Sequence, residues 1–262
     1  MDSISPDALS AVLGFLAEYE PPLRRVCRLW NASFPRRPGA VVPSLRRLAL
    51  SGDAELLRWL APQHQRWFTV RTADGLLYGA AEGGHEYIIR LAKMWGATDF
   101  DEAMVQAARN GHQRILVLAR MWGATDFDRA MCVAAANGHG HLARLAKEWG
   151  ATDFDRAMNG AAWGGHEVIV RLTREWGAID INAAMVHAAA RGHEGIVCLL
   201  REWGATDFDG VMICAAGGGH ESLMRLAKRW GSTAFNAAMA VATSNDYGRA
   251  VRLLEEWGAG QV

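Results

Sequence analysis

Apolar positions along most of the chain fall at helical spacing. In the stretch GATDFDEAMVQAARNGHQRILVLARMW, residues 96–122, Phe100, Ala103, Met104, Ala107 and Ala108 share one stripe. Thr98-x-x-Asp101 opens this helix in the manner of a capping box, with Asp99 also in the first turn, and Asn110-Gly111 closes it. A second stripe follows in Ile115, Leu116, Leu118 and Ala119, ending at Trp122-Gly123, where the glycine supplies a C-cap. Two helices of ~10 residues, each ~15 Å long, together with two tight turns leave no room for a strand.

The same pattern then recurs. Trp95, Trp122, Trp149, Trp176, Trp203, Trp230 and Trp257 each stand 27 residues after the one before. Phe100, Phe127, Phe154, Ile181, Phe208 and Phe235 form a second column, and Met104, Met131, Met158, Met185, Met212 and Met239 a third. The predicted fold is therefore all-α: an α-solenoid of helix-turn-helix repeats, helix A then helix B, over residues 71–262 with a C-terminal cap. Residues 44–70 read as a divergent first repeat, with Trp67 and Phe68 in an inserted stretch. If the tryptophans close each repeat as core side chains, Trp149→Ala should cost ~3–5 kcal/mol.

Residues 1–43 are of another kind, because all seven prolines lie within the first 62 residues. Ser5-Pro6-Asp7 marks a helix start, followed by the stripe Leu9, Val12, Leu13, Leu16. Beyond Pro21-Pro22 the spacing returns in Leu23, Val26, Cys27 and Trp30.

Composition narrows the function. Lys plus Arg equals Asp plus Glu at 28 each, so no global charge excess draws the chain to nucleic acid or anionic membrane. No apolar run approaches a membrane span, and the opening MDSISPDALS lacks a basic region before an apolar one, so a cytoplasmic protein without membrane association is expected. The four cysteines are widely separated and expected to be reduced.

Chemistry is faint. The column His85, His112, His139, His166, His193, His220 recurs once per repeat, and since a catalytic site is singular such a column reads as structural. His139-x-His141 is the single close histidine pair and lacks a third ligand, so no metal is expected. No non-repeating cluster suggests a catalytic centre or a cofactor site, and an enzyme is not expected. Acids at helix A starts (Asp99, Asp126, Asp153, Asp180, Asp207) and bases at helix B ends (Lys93, Arg120, Lys147, Arg174, Arg201, Lys228) suit the helix dipole. Arg144/Glu148, Arg171/Glu175 and Arg252/Glu256 stand at i,i+4 as further pairs.

A column that never changes cannot distinguish targets, so recognition belongs where repeats differ, chiefly on helix A. The candidate target-binding residues are Tyr78, Val105, Gln106, Arg109, Asn159, Trp163 and His187. Trp163 stands off the tryptophan ladder, either as an exposed interface anchor or tucked over Gly160 and Gly164.

Two resemblances sharpen this. The pattern Ile4-x-Pro6-Asp7-x-Leu9-x-x-Val12-Leu13-x-x-Leu16 with the run LRRVCRLWN at 23–31 resembles an F-box. The resemblance implies docking on the adaptor subunit of an SCF-type ubiquitin ligase through Pro6, Leu9, Leu13, Leu16, Leu23, Val26, Cys27 and Trp30. The segment Ala188-Ala189-x-x-Gly192-His193-x-x-Ile196-Val197-x-x-Leu200-x-x-x-Gly204-Ala205 resembles an ankyrin repeat that lacks the β-finger. The combination is similar to F-box/ankyrin proteins of large DNA viruses, which implies a role in the cytoplasm or nucleus of a host cell. The expected function is a substrate receptor, monomeric by itself, that holds a protein target in a groove lined by helix A. The alternative is a ligase-independent binding or decoy protein whose N-terminus only caps the solenoid.

Overall fold

The computed structural model describes residues 41–52, 54, 57 and 70–260. Among these the fold is all-α, of the α-solenoid class, with fifteen consecutive helices. The first is α1 (Val41–Ser51). Helix A of successive repeats is α2 (Val70–Gly83), α4 (Phe100–Asn110), α6 (Phe127–Ala136), α8 (Phe154–Gly164), α10 (Ile181–Ala190), α12 (Phe208–Gly217) and α14 (Phe235–Ser244). Helix B is α3 (Glu86–Met94), α5 (Gln113–Met121), α7 (Gly140–Glu148), α9 (Glu167–Trp176), α11 (Glu194–Glu202), α13 (Glu221–Arg229) and α15 (Gly248–Glu256). The boundary expected between residues 43 and 44 falls inside α1, whose Pro43 sits in the first turn, where no backbone donor is needed. Trp67 and Phe68 lie outside the described residues.

Both turns of the repeat are Schellman motifs, so residues 137–139 and 149–153 suffice to connect α6 to α7 and α7 to α8. After α6, Gly138 N–H donates to Ala135 O and His139 N–H to Ala134 O; after α7, Gly150 N–H donates to Lys147 O and Ala151 N–H to Ala146 O. Helix A starts one residue later than a Thr cap would place it. Asp126, Asp153, Asp180 and Asp207 are the N-caps, each accepting from the backbone N–H three residues on at 2.9–3.2 Å.

The described residues form two compact units: those up to residue 106 together with 117–123, and 107–116 together with 124–260. In the first, α2 packs on α1 and α3. In the second, α6, α8, α10, α12 and α14 lie side by side, and each is backed by its own helix B. The core of this unit is small and repetitive, with Met131, Met158, Met185 and Met212 fully buried between alanine pairs such as Ala134-Ala135 and Ala188-Ala189. Methyl-sized side chains there let neighbouring helices approach closely while the methionines fill the remaining gaps.

Three sets of contacts join repeats of the second unit. First, the residue after the opening phenylalanine reaches forward. Asp128 Oδ1 accepts from the N–H groups of Thr152 and Asp153, Asp155 from Ile179 and Asp180, Asn182 from Thr206 and Asp207, and Asp209 from Thr233 and Ala234. Second, the histidine reaches back. Nε2 of His139 donates to Arg109 O, that of His193 to Trp163 O and that of His220 to Ala190 O, at 3.1–3.3 Å. Third, the base near the end of helix B lies over the aromatic pair of the following repeat: Lys147 Nζ stands 5.2 Å from the Trp176 ring centre and 6.0 Å from that of Phe154, and Lys228 Nζ 4.4 Å from Trp257 and 5.9 Å from Phe235.

The tryptophan ladder is thus a half-buried edge rather than a core. Trp149 meets Phe127 edge to face at 5.9 Å with the rest of its surface partly open, so its truncation forfeits less than the figure for a fully buried ring. Where Ile181 replaces the phenylalanine, Arg174 turns instead to the Ala178 carbonyl at 2.7 Å. The i,i+4 ion pairs also run the other way. Arg171 bonds Glu167 at 2.7 Å rather than Glu175, and no ion pair forms at Arg144/Glu148 or Arg252/Glu256 among the described residues. Glutamate N-terminal to the base is the favoured orientation in a helix.

Candidate protein interaction surface

The histidines and the residues after the opening phenylalanine hold repeats together, and the N-cap acids close their own helices, which leaves the variable helix A positions as the place to look for a site. In the first unit, Tyr78 on α2 donates its hydroxyl to Asp99 Oδ2 at 2.5 Å, and Asp99 Oδ1 in turn accepts from Glu102 N–H. Burial and then the Asp99 carboxylate hold the Tyr78 phenol well above its ordinary range. Two candidates are corrected. Val105 is fully buried and Gln106 nearly so, and the Gln106 amide donates to Glu102 at 2.6 Å, so neither presents a surface to a target. Their columns elsewhere hold half-exposed residues such as Cys132 and Val133, which is why sequence alone placed them outside.

In the second unit, Arg109 is exposed, and its backbone carbonyl accepts the His139 bond. Asn159, Trp163 and His187 do come together. Asn159 precedes Trp163 by one turn of α8, with its Oδ1 buried and unpartnered among the described residues. Trp163 is 46% exposed. The His187 ring on α10 meets it edge-on at 6.2 Å, and the Arg191 guanidinium lies over it with Cζ 5.0 Å from the ring centre.

Of the two placements open to Trp163, the exposed one holds, and the glycines explain it. A Cβ at Gly160 would stand 3.0 Å from the Cys132 carbonyl oxygen, and one at Gly164 would collide with the Ala136 carbonyl oxygen. They serve the close approach of α8 to α6, whereas Trp163 leans the other way, towards α10.

Arg191 was not among the sequence candidates. Its signal was present: in the turn column Asn110, Asn137, Gly164, Arg191, Gly218, Asn245 it is the single charged residue. Arg156, seven residues before Trp163 and so on the same stripe of α8, is exposed as well.

Elsewhere the described surface offers little chemistry. Burial raises the thiols of Cys132, Cys198 and Cys214, which keeps them protonated near neutrality. Among the described residues no three His, Cys, Asp or Glu side chains converge as a metal site, and no helix is long and apolar enough to cross a membrane. The adaptor-docking candidates Pro6, Leu9, Leu13, Leu16, Leu23, Val26, Cys27 and Trp30 lie outside the described residues. The chain matches no family model and is similar to no curated protein.

Proposed function

We propose that the chain is a substrate receptor. In this reading residues 1–43 engage the adaptor of an SCF-type ubiquitin ligase, and the helix A face of the repeats holds a protein to be ubiquitinated. One observation carries the reading. The box-like run LRRVCRLWN precedes an array whose constant columns are spent on repeat-to-repeat bonds, while a non-repeating aromatic, Trp163, is left exposed on helix A. The chain itself supplies recognition and proximity, and the ligase supplies the chemistry. A ring half open to solvent, with an arginine and a histidine at its sides, has the composition of an interface anchor. The resemblance of the sequence to viral F-box/ankyrin proteins supports a host cell as the setting in this reading.

The test is co-purification from host-cell lysate, using the full-length chain and a full-length Leu13→Asp/Trp30→Asp variant. Adaptor and cullin are expected with the first and not with the second. Their absence from the unaltered chain would overturn the receptor reading in favour of a ligase-independent binding protein.

A further inference from the structure

The exposed face of α8 and α10 is one-sided in charge. Arg156, His187 and Arg191 line it, and Arg156 and Arg191 enter no ion pair among the described residues. The carboxylates nearest in sequence are already committed to backbone donors: Asp153 caps α8 through Arg156 N–H, Asp155 accepts from Ile179 and Asp180, and Asp180 caps α10 through Ala183 N–H. Beyond that cap α10 carries no acid at all.

Resting on the reading that helix A holds the target, we infer that this face takes an acidic segment of a protein partner, with a carboxylate on Arg191 and an adjoining apolar side chain on Trp163. The stacked guanidinium is held in place before binding, so less rotamer entropy is lost when its N–H edge forks a carboxylate. Trp163 contributes open apolar area beside it, and its column neighbours Ala136, Ala190 and Gly217 are too small to obstruct a chain lying across the face. A nucleic acid fits less well. A phosphate track needs bases at successive steps, and the positions in register with Arg191 in the other repeats are Asn110, Asn137, Gly164, Gly218 and Asn245, none of them basic.

Fluorescence anisotropy on the full chain tests this with three labelled probes: a peptide alternating glutamate and leucine, its counterpart alternating glutamine and leucine, and oligothymidylate. The glutamate peptide is expected to bind, and the glutamine peptide to bind about tenfold more weakly or worse. Arg191→Gln and Trp163→Ala should each weaken the glutamate peptide about tenfold. Arg191 is exposed, with its guanidinium over the Trp163 ring, so an unchanged melting temperature in Arg191→Gln shows that the scaffold is intact. Equal affinity for the two peptides, indifference to both substitutions, or tighter oligothymidylate binding that the same substitutions abolish would each overturn the inference. The Leu13→Asp/Trp30→Asp variant is expected to bind peptide normally. Lost adaptor capture and lost peptide binding therefore report separately on the receptor reading and on this one.

Discussion

One oxygen of Asp209 accepts three hydrogen bonds, from the Ser232 hydroxyl at 2.7 Å and from the N–H groups of Thr233 and Ala234 at 2.8 and 3.1 Å. The Ser232 bond, then that from Thr233, holds the carboxyl below its ordinary value. Because the native value is depressed, the stabilisation is fully present above the ordinary carboxylate range near ~4 and fades as pH falls through the lower native value. Asn182 makes the same pair of bonds without a charge, at 2.8 and 3.1 Å. Asp209→Asn is therefore expected to melt within a few degrees of the parent at neutral pH and to gain on it at about pH 3. Asp209→Ala, by contrast, should lose about 1 kcal/mol at neutral pH by orphaning the donors. A gap between parent and Asp209→Asn that is constant with pH would refute the charge argument. The sequence shows an acid three residues after a threonine, which a capping box also requires, so the forward reach of this column was not legible there. The alternation of Asp with Asn at 182 and 236 held the clue, since an acceptor alone is common to both.

At the scale of the helix, period and boundaries were legible because every repeat restates them. Phe100–Asn110 and Gln113–Met121 lie where the stripes put them. Illegible was which glycines are held by contact and which by backbone conformation alone. Gly165 and Gly177 both have positive φ, +80° and +111°. A Cβ at Gly165 would stand 2.6 Å from His193 Cε1, whereas one at Gly177 would meet nothing within 4 Å. Both alanine substitutions should cost ~1–2 kcal/mol for the left-handed backbone. Gly165→Ala should cost more, because the His193 ring must leave the Trp163 carbonyl. Chemical denaturation of the two variants checks the order, and equal losses would mean that the histidine contact is slack. Val105 and Gln106 fail at this scale too, since burial depends on what covers a position and a column records only what occupies it.

Across the second unit the junctions have a direction. Each repeat offers acceptors and a cation to its successor, as Asp155 and Lys147 do, and offers donors and an aromatic pair to its predecessor, as His193 and Phe208 with Trp230 do. The sequence made the array legible but not this polarity, because spacing says that residues recur and not which neighbour they reach. Removing residues 178–204, one full period, would join Gly177 to Ala205 and set the amides of Thr206 and Asp207 before Asp155, and His220 before the Trp163 carbonyl. That shortened chain is expected to give helical circular dichroism and a cooperative melt, and to lose the glutamate peptide along with His187 and Arg191. A deletion whose length is not a multiple of the period would misalign the bonds that cross the cut, and its melt should be lower or no longer cooperative. Like a one-way coupling that always accepts the next carriage, the junction makes the number of repeats a quantity that duplication or excision can change without redesigning a single contact.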